Sequence, residues 1–428
     1  MEYITLLLFC FSLLMSLLFD FSILISLGIG LILFFIYGMY KGFSLQELIR
    51  FSISGIKTVK DVLITFFLIG MLTAIWRASG TIPVLVCLAS NLIQPSLFLM
   101  MTFLMNSFIS FLTGTAFGTA ATMGVICSTM GYSLGISPIF IGGAVLSGAY
   151  FGDRCSPIST SALLVSKITD TDLFLNVQKM LKTAFFPFLF TVILYAIIGF
   201  INHAGGTFPN LKVIFSLEFN LSFYCILPAL ILLFLALCKV NVKIAMSFSI
   251  LSAFGICLWI QQRSIQSILW MLFYGYTSTH LDISKMLDGG GIFSMFKVAA
   301  IVCISSAYSG IFKKVGLFDS IQLYLQKFAK KTNEFTTIFI VSLITAMISC
   351  NQTLTIMLTK QLSQNIEKEK GKLAIYIEDS AVMIAPLIPW SIASAVPLAS
   401  VGASSQSILL AFFLYLLPIT QLILNFKR

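Results

Sequence analysis

Long apolar runs separated by short polar segments dominate the chain, and most are close to the roughly 20 residues with which an α-helix crosses a bilayer. These runs predict membrane-spanning helices over the following stretches: Ile4–Phe19, Phe21–Tyr40, Val62–Ala78, Ser96–Leu112, Ser137–Phe151, Thr183–Ile201, Phe219–Leu237, Ile244–Ile260, Ile292–Ile311, Phe335–Ile348 and Ser407–Leu424. The first run meets the second without a small-residue cleavage site, so we interpret it as a helix and not as a signal peptide.

Other apolar stretches are interrupted by Gly, Ser, Thr and Pro, namely Gly114–Gly131, Ser156–Val165 and Ile384–Val401. Irregular backbone at membrane depth is tolerated only where protein or a wet cavity satisfies its polar groups. We therefore take these breaks as the first pointers to a binding site.

Composition narrows the fold class. Of the 428 residues, 58% are hydrophobic and only 10% are charged, whereas soluble domains carry about 25% charged residues. A chain with so few charges cannot coat a water-facing surface, which excludes a soluble enzyme, a secreted scaffold and a disordered protein. The sequence predicts an all-α polytopic membrane protein with about 10–13 transmembrane segments. It contains no HExxH or P-loop motif, and its nine cysteines form neither a CxxC pair nor a Cys/His cluster, so we expect neither an enzyme nor a metal site.

Basic residues set the expected orientation. The net charge is +10, but the Lys and Arg residues stand at the ends of apolar runs, as in cytoplasmic loops, so we expect no nucleic-acid partner. The segment Lys41–Asp61 is predicted to be a cytoplasmic loop, and the loop Asn202–Glu218, with one Lys, to lie outside. Both termini are then predicted to be cytoplasmic.

Spacing indicates an internal repeat. Gly80 precedes Thr113 by 33 residues, and Gly316 precedes Ser349 by the same 33. Because the preceding helices run in opposite directions by the charge rule, the two units are predicted to be inverted repeats with broken, re-entrant helices, an architecture of secondary transporters. The predicted organisation is a hairpin and loop over 1–61, repeat 1 over 62–202, connecting helices over 203–291 and repeat 2 over 292–428.

The first break of each repeat supplies neutral oxygen atoms. Thr113 and Thr115 border a Gly-rich run, and Asn351 and Thr353 occupy the matching run of the second repeat. Hydroxyl and amide oxygens are suitable ligands for a hard cation. The alternative is a helix-packing face built from small residues.

Acidic residues open the second break of each repeat. Asp153 follows a long apolar run and precedes an oxygen-rich segment that includes Ser156, Ser159 and Thr160. An acid inside the membrane is by default a functional candidate, so we predict that these four residues bind a cation or a proton. The alternative for Asp153 is a plain interfacial charge beside Arg154.

Glu378 and Asp379 occupy the equivalent place in the second repeat, and symmetry with Asp153 makes them candidate cation- or proton-binding residues. The alternative is a solvated helix start near the lysines that precede them. We predict a substrate pocket close by, formed by Ser161, Ser380, Trp390 and Ser391. The two histidines, His203 and His280, are interpreted as interfacial residues, not as a proton relay.

Several stretches together resemble the NhaC-type Na⁺/H⁺ antiporter family of bacteria. They are IGMLTAIWRASGTIP, SFLTGTAFGTAATMGV, GGAVLSGAYFGDRCSPIS, GYTSTHLDISKMLDGGGIFSM and IEDSAVMIAPLIPWS. The resemblance implies an all-helical ion-transporter fold with inverted repeats, re-entrant hairpins and a homodimeric assembly.

The chain also departs from that family pattern. Where the family usually carries a second Asp after its GD-(K/R)-x-SP-x-S motif, this chain has Thr160, and the Asn that usually follows IPW is Ser391. The pair Ala381-Val382 stands where the family has Gly-Thr. These changes leave a less negative pocket.

Two functions are therefore weighed. The first is Na⁺/H⁺ antiport, in which Asp153 binds either ion and no cofactor is needed beyond the transported ions. A nearby positive charge would favour the ionised carboxylate, so this mechanism requires the side chain of Arg154 to point to solvent. The second is Na⁺- or H⁺-coupled transport of a small organic solute, such as an amino acid or a carboxylate like malate or lactate, which the loss of the second Asp favours.

Overall fold

The computed structural model describes residues 2–18, 22–90, 94–201, 210–238, 240–315, 332–349 and 351–426. Within these ranges the regular elements are helices, apart from an isolated bridge between Tyr276 and Gly289. The N-terminal part contains α1 (Glu2–Leu18), α2 (Ile23–Tyr40) and α3 (Leu45–Thr58). The next part contains α4 (Lys60–Ala78), α5 (Thr81–Ser90), α6 (Phe98–Thr113), α7 (Ala116–Thr119), α8 (Val125–Ser133), α9 (Pro138–Cys155), α10 (Thr160–Thr169) and α11 (Leu173–Ile201).

The remaining helices follow in the same manner. The connecting part contains α12 (Leu211–Ser216), α13 (Leu227–Leu237), α14 (Val242–Trp259), α15 (Ile265–Tyr274) and α16 (Leu281–Leu287). The last part contains α17 (Phe296–Val315), α18 (Glu334–Ser349), α19 (Gln352–Ser363), α20 (Lys370–Asp379), α21 (Ala381–Ile384), α22 (Ile392–Ser400) and α23 (Phe412–Phe426). His203, in the first part of the predicted outer loop, and Gly316, from which the spacing in the second repeat is counted, lie outside the described residues, whereas the later part of that loop contains α12.

Length and composition identify the membrane-spanning elements. Among the described residues, three helices are long and apolar enough to cross a bilayer: Pro95–Thr113, Leu173–Ile201 and Val242–Trp259. Two further pairs qualify only as broken spans, Leu63–Ala78 with Thr81–Leu88, bent by 69°, and Lys370–Leu387 with Ile392–Ser400, bent by 57°. Several other apolar helices have 10–17 residues. The chain is an all-α polytopic membrane protein with broken helices, as its sequence predicts.

The distribution of side chains fits a lipid environment. Large apolar residues of α11 are exposed, among them Phe185, Phe190 and Phe200. Small polar residues are buried between helices, and their hydroxyls bond to one another or to backbone carbonyls, as Thr345 does with the Thr359 hydroxyl at 2.9 Å. A bilayer offers no hydrogen bonds, so polar groups at that depth need partners inside the protein.

The segment Lys41–Asp61, predicted to be a cytoplasmic loop, contains a helix, α3, that was not predicted from the sequence. Ser44 caps it through a capping box with Glu47, a local signal that stabilises a helix start. The helix packs closely on α17, because a Cβ on Gly55 would lie 2.0 Å from the carbonyl oxygen of Ser306. The charge rule assigned the side of the membrane from Lys and Arg and did not consider this pattern.

The predicted breaks recur with matching backbone geometry. Thr115 precedes α7 with φ −144° and ψ 124°, and Asn351 precedes α19 with φ −150° and ψ 127°. Ser159 precedes α10 with φ −67° and ψ 139°, and Ser391 precedes α22 with φ −78° and ψ 143°. In each case the side chain caps the following helix. The division into two inverted repeats stays a prediction, and this backbone parallel is what it leads one to expect.

Candidate functional site

A cavity of about 510 Å³ lies where four of the predicted breaks meet. Six of the residues singled out from sequence line it: Thr113, Thr115, Asp153, Thr160, Asn351 and Thr353. The first four come from the earlier part of the chain and the last two from the start of α19, so the cavity is built by both predicted repeats. Its other lining residues include Tyr150, Asn241, Lys243 and Gln352.

Close backbone packing brings the first break to the second. Gly114 ends α6 with φ +66°, and a Cβ at this position would lie 2.7 Å from the carbonyl carbon of Ile158. On α9, a Cβ on Gly152 would lie 2.1 Å from the carbonyl carbon of Ser110 in α6. Glycine is needed at both places because any side chain would push the two segments apart. The contact fixes Asp153 beside Thr113 and Thr115.

Asp153 is the acidic residue of the cavity. It stands in the last turn of α9 with 5% of its surface exposed. Its Oδ2 accepts hydrogen bonds from Ser161 Oγ and from Gln352 Nε2, both at 3.0 Å. Both donors are neutral. The carboxylate is therefore oriented by the protein without being paired to a fixed positive charge, which leaves it able to bind a mobile cation.

The next residue, Arg154, does not point to solvent as the sequence-based mechanism required. It is fully buried and forms an ion pair with Asp379 Oδ1. It also donates to Thr183 Oγ1 at 2.7 Å and to the Met180 carbonyl oxygen at 3.0 Å. Successive side chains on a helix diverge by about 100°, so Arg154 faces α11 and α20 while Asp153 faces the cavity. The positive charge next to Asp153 is neutralised by Asp379.

The structure places neither of the paired acids at the cavity. Asp379 belongs to the ion pair just described. Glu378 is also fully buried, and neither of its carboxyl oxygens has a hydrogen-bond partner among the described residues. The predicted symmetry between Asp379 and Asp153 does not extend to their surroundings. The guanidinium of Arg154 pairs with Asp379, whereas no described residue forms an ion pair with Asp153.

Two serines of the second break, Ser159 and Ser161, contact Asp153. Both donate to its backbone carbonyl oxygen, and Ser161 also donates to its carboxylate. Ser156 accepts from the backbone N–H of Ile158 within the break. All three serines are buried and absent from the cavity wall, so the first two hold Asp153 in place and Ser156 stabilises the break itself.

The remaining predicted pocket residues make structural contacts elsewhere. Ser380 Oγ bonds Ser342 Oγ at 2.8 Å and donates to the Tyr376 carbonyl oxygen. Trp390 is 3% exposed and donates Nε1–H to the Met347 carbonyl oxygen at 2.9 Å. Ser391 caps α22 and thereby positions the next two residues, which line the cavity. His280 is exposed at the start of α16.

Sequence reasoning did not select several residues of the cavity. Gln352 lies inside the polar run at the second-repeat break, but only its neighbours were chosen. Tyr150 is three residues before Asp153, so the two share a helix face, and its hydroxyl donates to the Ala393 carbonyl oxygen at 2.7 Å. Lys243 was counted only as a loop charge. Tyr150 could have been predicted from its spacing to Asp153. Lys243 could not, because only tertiary packing places it at the cavity.

Comparison with known proteins gives antiporters. A Na⁺/H⁺ antiporter NhaC of Alkalihalophilus pseudofirmus is 26% identical over 415 residues, which cover 94% of this chain and 89% of the relative. The malate-2H⁺/Na⁺-lactate antiporter of Bacillus subtilis is 26% identical over 385 residues, which cover 87% of this chain and 82% of the relative. The arginine/ornithine antiporter ArcD of Halobacterium salinarum is 25% identical over 90% of this chain and 82% of its own length.

The sequence profile of the Na⁺/H⁺ antiporter family matches residues 1–200 and 148–426, which together span almost the whole chain. The chain belongs to the Na⁺/H⁺ antiporter family.

Proposed function

We propose that this chain is a secondary transporter that exchanges Na⁺ for H⁺ across the cell membrane, with Asp153 as the residue that carries either ion. The observation that carries the proposal is the setting of this carboxylate. It is almost fully buried, lines a cavity and accepts hydrogen bonds from neutral donors only, among the described residues. Family membership supports the same activity.

Competition between the two ions follows from this setting. A proton on Asp153 and a Na⁺ beside it satisfy the same negative charge, so the carboxylate holds one or the other. Hard cations prefer oxygen ligands, and the cavity adds the hydroxyls of Thr113, Thr115 and Thr160 and the amide of Asn351. Transport requires the loaded carboxylate to face the two sides of the membrane in turn. No cofactor is needed for this exchange.

The proposal extends to the placement of the protein. The relatives are antiporters of prokaryotes, and the chain carries the basic loops of an inner-membrane protein with both termini in the cytoplasm. The NhaC resemblance implies a homodimer in that membrane. Labelling of a cysteine introduced at either terminus, from one side of sealed cells, tests the orientation.

A second candidate function is favoured by the size of the cavity. A volume of about 510 Å³ lies in the range of pockets that enclose small organic molecules and greatly exceeds one Na⁺ ion. Lys243 contributes a positive charge to the same wall. In this alternative, Na⁺ or H⁺ at Asp153 drives movement of an amino acid or a small carboxylate.

The experiment uses purified protein in liposomes that contain a pH-sensitive dye, with Na⁺, Li⁺ or K⁺ added outside. We expect Na⁺ to release protons from acid-loaded vesicles with the wild type and not with Asp153→Asn, which keeps the shape of the side chain but not its charge. Asp170→Asn is the matched control, because Asp170 is exposed and pairs with Lys370 away from the cavity.

The outcomes separate the two functions. Proton movement with Na⁺ alone supports antiport, and its loss in Asp153→Asn alone locates the exchange at this carboxylate. A wild type that responds to no cation contradicts the antiport proposal. If the response then appears only when an amino acid or a small dicarboxylate is also present, the second candidate is correct.

A further inference from the structure

Gln352 contacts the proposed ion-binding carboxylate from the opposite repeat. Its Nε2 donates to Asp153 Oδ2 at 3.0 Å, a contact between residues 199 positions apart. The side chain is half-buried and lines the cavity together with Asp153. We propose that Gln352 is a further cation-binding residue, whose amide changes from a donor on the empty carboxylate to an oxygen ligand of bound Na⁺. This inference rests on the proposed function.

The position of Gln352 is fixed more firmly than the orientation of its amide. It is the first residue of α19, and the preceding Asn351 caps that helix by accepting from the backbone N–H groups of Thr353 and Leu354. The cap holds the backbone beside the cavity. The terminal torsion of a glutamine is broad, so its amide can present either nitrogen or oxygen at the same place. A glutamine amide offers both a hydrogen-bond donor and an acceptor at the end of a long side chain. The shorter side chains of Thr113 and Thr160 do not reach as far.

Hydrogen bonding differs between the three states of Asp153. An empty, ionised carboxylate accepts, and the Gln352 N–H donates to it, as observed. A protonated carboxyl donates one O–H, and a Na⁺ beside the carboxylate needs oxygen ligands. In both loaded states the oxygen of Gln352 is the useful end of the amide. The oxygen of Gln352 can therefore accept a hydrogen bond from the protonated carboxyl or bind Na⁺. In both states Gln352 and Asp153, from the two predicted repeats, contact the same ion.

The test measures Na⁺- and Li⁺-driven proton release in the same liposomes for the wild type, Gln352→Met and Gln352→Glu. Methionine keeps the length of the side chain and removes the amide, whereas glutamate keeps an oxygen ligand and removes the N–H. Gln364→Met is the matched control, since Gln364 stands at the other end of α19, is exposed and bonds only Lys360 among the described residues.

We expect Gln352→Met to raise the Na⁺ concentration for half-maximal release about tenfold, the size of one lost charge-assisted contact, and to change the Na⁺/Li⁺ ratio. The maximal rate of proton release should stay within about threefold of the wild type, because a residue that contributes to binding of Na⁺ changes mainly the concentration needed for half-maximal release. Gln352→Glu should need the same or less Na⁺ than the wild type, and Gln364→Met should behave as the wild type.

Wild-type values of both the half-maximal concentration and the Na⁺/Li⁺ ratio in Gln352→Met overturn the inference while leaving antiport intact. If Gln352→Met does not fold, Gln352→Glu decides: an increased Na⁺ requirement overturns the inference, and an unchanged or decreased one supports it. A wild type without any Na⁺ response overturns the antiport proposal and this inference together.

Discussion

The buried ion pair between Arg154 and Asp379 gives a sharp test of how α9 and α20, which belong to different predicted repeats, are held together. Both side chains are fully buried, so Asp379→Asn leaves the guanidinium charge uncompensated in a medium of low polarity. Breaking such a pair from one side costs about 3–5 kcal/mol. The hydrogen bonds of Arg154 to Thr183 and to the Met180 carbonyl remain, which places the expected loss near the lower end, about 3 kcal/mol.

The assay is thermal unfolding of the purified protein at pH 7. A loss of 1 kcal/mol lowers the melting temperature of a domain of 150–250 residues by about 2–4 °C, and less in a longer chain. We therefore expect a drop of about 5 °C for Asp379→Asn. The matched control is Glu378→Gln, since neither oxygen of Glu378 accepts a hydrogen bond among the described residues, so this change removes a buried carboxylate without breaking a hydrogen bond. Equal melting temperatures for the two variants would refute the reasoning.

Removing both charges completes the test. Apolar replacement of a whole buried pair is often neutral or stabilising, so Arg154→Met combined with Asp379→Leu should melt closer to the wild type than Asp379→Asn does. The same double variant examines the sequence-based prediction that Asp379 binds the cation. Retained Na⁺-driven proton release means that the pair is structural, and loss of release with retained melting temperature supports the cation-binding role.

Two further predictions concern the backbone at the cavity and the pH dependence of a surface pair. Gly114→Ala should lower the melting temperature more than Gly135→Ala and abolish proton release, because both positions have φ near +70° but only a Cβ on Gly114 meets backbone within 4 Å; equal effects would contradict this. Lys370 holds the pKa of Asp170 below its usual value through a hydrogen bond and its charge, so the contribution of the pair is present at neutral pH and is lost only as the pH falls through that lowered pKa. Both side chains are exposed, and exposed ion pairs contribute little to stability, so Asp170→Asn should leave the melting temperature at pH 7 unchanged. A drop as large as that of Asp379→Asn would contradict this prediction.

Local patterns were sufficient for the helices and for the places where they break. The apolar runs indicated spans because bilayer thickness fixes their length, and the Gly- and Ser-rich segments indicated breaks because a lipid-facing helix does not tolerate them. The first-repeat run containing Thr113 and the second-repeat run containing Asn351 both end a helix in the structure. The helix α3 was missed although Ser44 and Glu47 form a local capping box, so in that case the signal was present in the sequence and was not used.

Local sequence patterns could not predict which partner each buried charged side chain contacts. Arg154 and Asp379 are 225 residues apart, and nothing in either neighbourhood shows that α9 packs so that one meets the other. The same applies to Gln352, whose contact with Asp153 depends on how α19 approaches α9. A sequence-based argument recognises that a buried charge needs a partner, but the identity of that partner follows only from tertiary packing.

The partners of the buried acids distinguish a structural carboxylate from an exchangeable one. Asp379 faces the permanent charge of Arg154, so a Na⁺ or a proton that bound there would have to displace a covalently tethered cation of the protein itself. Asp153 faces neutral donors and an accessible cavity, and no described residue forms an ion pair with it, although Lys243 lines the same cavity. Thr160, which stands where the family usually has a second Asp, lines this same cavity. Among the described residues the cavity thus presents one carboxylate instead of two, and the proposed exchange of one Na⁺ for one H⁺ at that single group would transfer no net charge in a complete cycle.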